Sequence, residues 1–441
     1  MPIRIIRSRN PLSDPVVMGL REALRAGGPT AAGKAGGEKV AKAVRAIIRQ
    51  VARGGDKALV RLVARFDKAM LTPRTLRVPP EAIRAATAAA EPKFLALARR
   101  VAANIRQYQE RILIRAPVPL RRGGRELGVR YTPIGRVGVY VPGGRAAYPS
   151  TMLMTIVPAQ VAGVREIAIA SPPTSSGEVN PLVLALAGEL GITEVYRMGG
   201  AQAIAALALG TESIPAVDKL VGPGNAFVTE AKRQLFGRVG IDSLAGPSEV
   251  LIVADDTARA DWLAADMLAQ VEHDPGSAIL VTPSAKLAKA VGREIKRQLP
   301  SLSRAKAARA SLKAYSAIIV TPDLGGACEA ANGFAPEHLQ IITADDQGAA
   351  AMIRNAGAIF LGRDTPVALG DYHAGPSHVL PTGGTARFFG PLSCNDFLKA
   401  SSVLRYDPAA LAEDAADVID FATREGLTAH AEAVRVRQRN T

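Results

Sequence analysis

Arg136-Val137-Gly138-Val139-Tyr140-Val141-Pro142-Gly143-Gly144 joins an apolar run to a pair of glycines. The run predicts a buried strand, the glycines predict a tight turn, and the apolar segment 150–162 that follows predicts a helix. The same order recurs downstream, with strands predicted at 166–170, 194–198, 219–221 and 250–253 and helices at 180–190, 201–209 and 225–235. Repeated strand–turn–helix units predict a parallel sheet with crossover helices.

A second block with this order follows without repeating the sequence of the first. Helices are predicted at 257–273, 286–299, 324–331 and 347–354, and strands at 278–281, 317–320, 339–342 and 358–361. The predicted class is therefore α/β, with two Rossmann-like units (incomplete, mostly parallel sheets), a small N-terminal arm and a C-terminal helical segment.

The flanking regions carry weaker signals. Residues 38–66 predict two helices broken at Gly54-Gly55, residues 80–112 predict one long helix after Pro79, and 116–135 predict a hairpin or linker. A Gly/Pro/Thr-rich stretch runs from 362 to about 391, and a helical tail is predicted at 408–437.

Composition favours a globular protein of a reducing compartment. The 441 residues are 48% hydrophobic and 22% charged, and the two cysteines, Cys328 and Cys394, have no metal-binding spacing. The N-terminus lacks the apolar region of a signal peptide, and prolines interrupt the longest uncharged run. We expect a cytoplasmic location.

The net charge of +15 comes from one part of the chain. Residues 1–135 contain 28 of the 55 basic residues but only 9 of the 40 acidic ones. These cations fall between the apolar positions of predicted amphipathic helices, and there are few aromatic side chains to stack on bases. A solvated helix face is favoured over a nucleic-acid site, and we expect neither a nucleic-acid nor a membrane partner.

Glu337 and His338 stand side by side where a predicted loop enters a short buried strand. They can supply two proton acceptors of different strength at one place. As an isolated dipeptide the pair is more often an ordinary loop feature, so its meaning depends on the other polar residues.

Several further residues have the chemistry of metal ligands. They are Asp266, Gln270 and His273 on one helix face, Asp371, His373 and His378 in a Gly/Pro-rich loop, and Glu425 and His430 near the C-terminus. Nitrogen and oxygen ligands without cysteine suit zinc or another borderline divalent ion in a catalytic role. Spacing alone does not show that they converge.

Three glycine turns each follow a predicted strand and precede a helix: Gly143-Gly144, Gly199-Gly200 and Gly222-Pro223-Gly224. Backbone amides at such helix starts favour anions, including dinucleotide phosphates. None matches G-x-G-x-x-G, so tight turns without a ligand explain them equally well.

Together these motifs resemble the L-histidinol dehydrogenase family over about residues 30–437. The segments that carry the resemblance are 135–144, 222–232, 245–250, 270–273, 335–339, 370–372, 378–381 and 425–430. The resemblance implies oxidation of L-histidinol through L-histidinal to L-histidine with two NAD+, the final step of histidine biosynthesis.

The resemblance also implies roles for individual residues. Glu337 and His338 would be the acid–base pair, with His338 acting on the alcohol and Glu337 activating water. Zinc, one ion per subunit, would be held by Gln270, His273, Asp371 and His430. NAD+ would contact Tyr140, Gln202 and Asn225. The substrate would contact Ser248, His378 and Glu425 together with His338 and the four zinc ligands.

The resemblance further implies a homodimer with shared active sites, in which Glu425 and His430 serve the neighbouring subunit. The expected division is an arm (1–20), a discontinuous zinc-binding catalytic domain (21–135 and 250–385), an NAD-contacting domain (136–249) and a C-terminal dimer-swapped segment (386–441).

Two positions depart from the family pattern, Val367 and Ser377, and His373 stands where no histidine is required. They keep open a related zinc- and NAD-dependent dehydrogenase of another small alcohol. A basic nucleic-acid-binding protein and a cofactor-free zinc hydrolase are less favoured, because the full set of acid–base, ligand and glycine-turn positions is present.

Overall fold

The computed structural model of this chain describes residues 3–25, 34–143, 148–244, 246–273 and 276–438. Gly144, in the first predicted turn, and Ala245, in a family-like segment, lie outside the described residues. No helix within these ranges is both long and apolar enough to cross a membrane.

The stretch that opens at Arg136 forms the central strand of a five-stranded parallel sheet, in the order β6-β5-β4-β7-β8. Its strands are β4 (Arg136–Tyr140), β5 (Glu166–Ser171), β6 (Val195–Arg197), β7 (Lys219–Val221) and β8 (Gly240–Ile241). The crossover helices are α5 (Pro149–Val161), α6 (Pro181–Glu189), α7 (Gly200–Leu209) and α8 (Ala226–Leu235). This block agrees with the predicted strand–turn–helix order, except that the strand predicted at 250–253 belongs to the other sheet.

A six-stranded parallel sheet forms the second unit, in the order β1-β11-β10-β9-β12-β13. Its strands are β1 (Arg4–Arg7), β9 (Ser248–Ala254), β10 (Gly276–Thr282), β11 (Ala317–Val320), β12 (His338–Ile342) and β13 (Ala358–Leu361). The helices of this part of the chain are α1 (Pro15–Arg25), α9 (Ala260–Val271), α10 (Ala285–Gln298), α11 (Ala305–Tyr315), α12 (Leu324–Phe334), α13 (Asp346–Ala351) and α14 (Val367–Tyr372). The predicted α/β class with two mostly parallel sheets is confirmed.

A small antiparallel sheet joins the N-terminal third to the C-terminal segment. It consists of β2 (Leu120–Arg122), β3 (Arg125–Pro133) and β14 (Leu398–Tyr406), and it leads into α15 (Pro408–Arg424) and α16 (Thr428–Gln438). The predicted hairpin at 116–135 is present, but β14 was not predicted. Strand β14 pairs with β3 along its whole length, so distant pairing decides its conformation.

The packing corrects one part of the expected domain division. The helices α2 (Lys34–Phe66), α3 (Pro80–Ala89) and α4 (Pro92–Ile112) cover the five-stranded sheet. They therefore belong to the unit of the glycine turns and not, as expected for 21–135, to the unit of Glu337. Both parallel sheets have apolar residues on both faces that helices must cover. The sequence of an amphipathic helix therefore does not show which of the two sheets it covers.

The prediction of one long helix over 80–112 is also wrong, because the structure has two helices in this range. Helix α3 ends at Ala89 and α4 begins at Pro92. Proline lacks the N–H that a continuous helix needs, and it disfavours the helical conformation of the preceding residue. The break predicted at Gly54-Gly55 is observed as a kink, with Gly55 at φ 46°.

A buried ion pair fixes the turn after β7. The Lys232 ammonium donates to Asp242 Oδ1 at 2.7 Å and to the Gly222 carbonyl at 2.6 Å, and Gly222 N–H donates to Asp242 Oδ2 at 2.7 Å. Both charged side chains are 4% exposed. Gly222 has φ 109°, and a Cβ there would stand 2.2 Å from the Tyr140 carbonyl oxygen, so the turn requires glycine at this position. The ion pair binds both the N–H and the carbonyl of this glycine.

We expect Lys232→Met to lower the free energy of unfolding by about 3–5 kcal/mol, because it leaves Asp242 charged, buried and without its cation. Urea and thermal unfolding measure the loss. The exposed pair Arg259–Asp261 has the same 2.7 Å separation and gives a matched control. Arg259→Met should change the free energy of unfolding far less, because water screens an exposed ion pair. Equal effects of the two substitutions would contradict the importance assigned to the buried pair.

Candidate active site

Glu337 and His338 are both buried at the amino end of β12. Helix α12 ends with Ala335 in the left-handed conformation (φ 50°), and Pro336 cannot extend the helix. The backbone then enters the sheet, where the Pro336 and Glu337 carbonyls accept from Gly357 and Ala358. Because the helix ends here, Glu337 and His338 lie at the point where β12 enters the sheet.

The main chain of Glu249 holds both side chains. Its N–H donates to Glu337 Oε2 at 2.8 Å, and its carbonyl oxygen lies 3.1 Å from His338 Nδ1. A carbonyl can only accept, so Nδ1 carries the proton and Nε2 is the acceptor atom of neutral His338. The parallel register of β9 and β12, which aligns His338 with Val250, sets this arrangement.

The free nitrogen of His338 faces a carboxylate. Nε2 lies 3.4 Å from Asp371 Oδ1, and Glu337 Oε2 lies 3.4 Å from Nδ1. These separations allow strong attraction but are long for hydrogen bonds, and Nε2 has no hydrogen-bond partner among the described residues. Burial lowers the pKa of His338, but the charges of Glu337 and Asp371 outweigh burial and raise it to about 10.

Asp371 lies at the end of α14, within the influence of three histidines. Burial raises its pKa, but His338, His378 and His273 lower it below the ordinary value. The Asp371 carbonyl accepts from His378 Nδ1 at 2.8 Å, so the two residues are held together through the main chain as well.

His378 connects the two units. Its Nε2 lies 3.4 Å from the Thr151 hydroxyl on α5, and burial lowers its pKa. The neighbouring Ser377 is buried and donates to the Met154 carbonyl at 3.0 Å. Ser377 therefore attaches this loop to α5, which gives the departure at that position a structural explanation. Val367, the other departure, is a buried residue at the start of α14.

Part of the predicted metal set is close together. Gln270 is buried near the end of α9, and its Nε2 has no hydrogen-bond partner within the described ranges. His273 follows α9 and is close enough to lower the pKa of Asp371. Two other candidates are engaged elsewhere: Asp266 accepts from Gln340, and the His373 ring contacts Asn104 on α4.

The remaining predicted residues near the C-terminus stand apart. Glu425 caps α15 and His430 lies on α16, and both are exposed. Within the part of the chain that the structure describes, no three His, Cys, Asp or Glu side chains form a group that could hold a metal ion. One copy of the chain thus places His273 near Asp371, while His430 is exposed on α16.

Ser248 begins β9 and directly precedes Glu249, so it lies at the same amino-terminal end of the sheet as His338. The candidate site therefore lies where the parallel strands of this sheet begin. The glycine turns of the other unit, by contrast, follow the carboxyl ends of their strands.

The turn after β6 is held by side chains from two other elements. Gly200 N–H donates to the Tyr140 hydroxyl at 3.1 Å, and Asp67 Oδ2 accepts from Gly199 N–H and Gln202 Nε2, both at 3.2 Å. Asn225 caps α8 by accepting from the N–H groups of residues 227 and 228. Tyr140, Gln202 and Asn225 therefore border the turns at the starts of α7 and α8.

Glu249 and Asp67 were not singled out from the sequence. Glu249 left one signal, since it is an acidic residue at the start of the apolar run of β9. Burial and the charge of Glu337 raise its pKa to about 8. Asp67 left no comparable signal, because its partners lie more than 130 residues away.

A buried carboxylate–imidazole pair where one parallel sheet begins, with glycine turns on a second parallel sheet, is typical of a two-unit α/β enzyme. The family model described as histidinol dehydrogenase matches residues 31–438. The chain is 52% identical to the histidinol dehydrogenase of Rhodopirellula baltica over 89% of this chain and 86% of that protein. It is 50% identical to that of Geobacillus kaustophilus over 92% and 95%.

A solved structure agrees. The crystal structure of histidinol dehydrogenase from Elizabethkingia anophelis superposes with a TM-score of 0.91 at 32% identity, covering 100% of this chain and 98% of that one. The chain belongs to the histidinol dehydrogenase family, which confirms the resemblance found in the sequence. It is accordingly an NAD-dependent oxidoreductase.

Proposed function

We propose that this enzyme oxidises L-histidinol through L-histidinal to L-histidine, with two NAD+ consumed per substrate, as the final step of histidine biosynthesis. The observation that carries the proposal is the buried Glu337–His338 pair, oriented by the backbone N–H and carbonyl of Glu249 and facing Asp371. Family membership supplies the substrate. Neither Val367 nor Ser377 supports a different alcohol, since both are buried in the scaffold.

His338 is the base for the alcohol step. Its Nδ1–H donates to the Glu249 carbonyl, which leaves the Nε2 lone pair to take the hydroxyl proton of the substrate. The bound nicotinamide supplies hydride acceptance, and the protein supplies orientation and proton transfer. The attraction of Asp371 for the imidazolium would decline if a cation bound that carboxylate, which would bring the pKa of His338 down towards neutrality.

Glu337 activates water for the aldehyde step. An aldehyde must be hydrated before a second hydride can leave, and a carboxylate can accept a proton from the attacking water. Glu337 Oε2 already accepts from Glu249 N–H, so this carboxylate is held in place before the substrate arrives. Two neighbouring acceptors of different basicity thus serve two successive oxidations.

Zinc fits the residues that the chain assembles. Gln270, His273 and Asp371 provide an amide, an imidazole and a carboxylate, a donor set that suits a borderline divalent ion. The Gln270 side chain is buried, and its amide oxygen is the atom that could ligate such an ion. When bound, the ion would fix the substrate and polarise its oxygen.

A homodimer supplies the fourth ligand in this proposal. His430 of the partner subunit would complete the zinc site, and Glu425 of the partner subunit would contact the substrate. The support is that the C-terminal helices expose both residues together with apolar side chains, including Phe421, which is 70% exposed. A group of large exposed apolar residues favours a partner surface, and Val418 and Leu427 are exposed near Phe421.

The remaining binding roles follow the same division of the molecule. Tyr140, Gln202 and Asn225 contact NAD+ at the helix starts of the five-stranded unit, where backbone amides favour phosphates. Ser248 and His378 contact the substrate, together with His338 and the zinc ligands. Thr151 on α5 touches His378, so the substrate residues adjoin the five-stranded unit.

The deciding experiment counts NADH formed per L-histidinol consumed, with and without a chelator. We expect about two NADH per substrate, from the two hydride transfers. Chelation should abolish turnover, and added Zn2+ should restore it. L-Histidinal supplied directly should give about one NADH per substrate, since only one hydride transfer remains.

Absence of NADH from L-histidinol by the zinc-loaded enzyme would overturn the proposed substrate. Undiminished turnover after removal of the metal would overturn the proposed zinc site while leaving the substrate intact.

A further inference from the structure

The carboxylate of Asp67, at the end of α2, reaches the turn that starts α7. We propose that Asp67 is a positioning residue for the cofactor, holding the Gly199-Gly200 turn and Gln202 in the conformation that receives NAD+. This inference rests on the proposed role of Tyr140 and Gln202 in cofactor binding.

One oxygen atom of Asp67 links two parts of this turn. Oδ2 accepts from Gly199 N–H and from Gln202 Nε2, each at 3.2 Å. The next backbone donor, Gly200 N–H, is bound by the Tyr140 hydroxyl at 3.1 Å. Successive N–H groups of the turn are therefore tied to two side chains from different elements.

The turn needs such restraint because both residues are glycine. Gly200 lies at φ 61°, and glycine in that region loses more conformational freedom on ordering than other residues. A Cβ at Gly199 would stand 2.8 Å from Asp67 Oδ1 and 2.6 Å from Pro172 Cβ, so Asp67 also forms a wall of the turn. Lys68, which follows, adopts a left-handed φ of 59°, a conformation that is costly for lysine.

The contribution of Asp67 is expected to come from its hydrogen bonds and not from its charge. A carboxylate does not attract the phosphates of a dinucleotide, so direct electrostatics opposes cofactor binding. Burial raises the pKa of Asp67, while its two N–H donors lower it. A neutral acceptor of the same shape should consequently perform as well.

The test compares two substitutions at Asp67 with a matched control on the same helix. Asp67→Ala removes the acceptor, whereas Asp67→Asn keeps an oxygen for both donors. The control is Asp56→Ala, since Asp56 is buried on α2 and accepts from Thr211 just beyond the other end of α7. Asp56 and Asp67 thus bracket one helix, and only Asp67 touches the turn.

We expect Asp67→Ala to raise KM for NAD+ about tenfold, because the two hydrogen bonds that hold the turn are lost. Its kcat and its KM for L-histidinol should stay within about twofold, because the chemistry and the substrate contacts are unchanged. Asp67→Asn should keep KM for NAD+ within about threefold of wild type, since its oxygen still accepts. Asp56→Ala should lower thermal stability without changing KM for NAD+.

The inference is overturned if Asp67→Ala raises KM for NAD+ no more than Asp56→Ala does. It is also overturned if Asp67→Asn is as impaired as Asp67→Ala. NADH binding followed by fluorescence gives the same comparison without turnover. A wild-type enzyme that binds NADH but does not oxidise L-histidinol would count against the proposed substrate, whereas equal NADH affinities of wild type and Asp67→Ala would count against Asp67 alone.

Discussion

Replacing His338 by asparagine should lower kcat for L-histidinol oxidation by about 10²- to 10⁴-fold, the usual contribution of a positioned proton acceptor. Asparagine can keep a donor towards the Glu249 carbonyl, but it has no lone pair of comparable basicity where Nε2 stands. The loss is expected mainly in kcat, since the proton leaves the hydroxyl in the transition state.

Steady-state rates with L-histidinol and L-histidinal separate the two half-reactions in this variant. The alcohol step should become the slower of the two. Near-normal oxidation of L-histidinol by His338→Asn would eliminate His338 as the base. His373→Asn is the matched control, because His373 contacts Asn104 on α4 and should leave both rates close to wild type.

Glu337→Gln should slow oxidation of L-histidinal by about 10²-fold or more, with a smaller effect on the alcohol, because an amide cannot accept the proton of the attacking water. A second effect concerns pH. The Glu337 carboxylate raises the pKa of His338, so its neutralisation lowers that pKa and makes the base available at lower pH. The acid limb of the alcohol step should therefore move to lower pH in this variant.

The pH dependence of each half-reaction measures both effects in one series. Equal losses in the two half-reactions would contradict separate roles for Glu337 and His338. An acid limb that stays in place, or moves to higher pH, would show that Glu337 does not act on the charge of His338 as the structure indicates.

Local patterns were enough to predict the two parallel sheets. Buried strands such as β4 and β12 stand out as short apolar runs, and glycine turns mark where helices begin. Contacts between distant segments were not predictable in this way. Strand β14 forms by pairing with β3, which lies more than 260 residues earlier. The sequence of α2 does not indicate which of the two sheets this helix covers.

For the site, the sequence indicated the chemistry of the residues more readily than their arrangement. Glu337, His338, Asp371 and His378 were predicted, and the structure brings them together. The part played by Glu249 could not be predicted, because its backbone N–H and carbonyl do the orienting and every residue but proline has both. His430 stands apart within one copy of the chain, so its assignment to zinc stays a prediction.

The use of the backbone N–H and carbonyl of residue 249 to align Glu337 and His338 has a consequence for how the protein tolerates sequence change. Backbone N–H and C=O groups persist through almost any substitution at position 249, so drift at that position does not by itself misalign the pair. A proline at 249 would remove the N–H that holds Glu337 but keep the carbonyl that accepts from His338. Only a one-residue slip of β9 against β12 would break both contacts. The alignment is thus protected by strand pairing along the whole sheet, and mutations that misalign it are ones that also endanger folding.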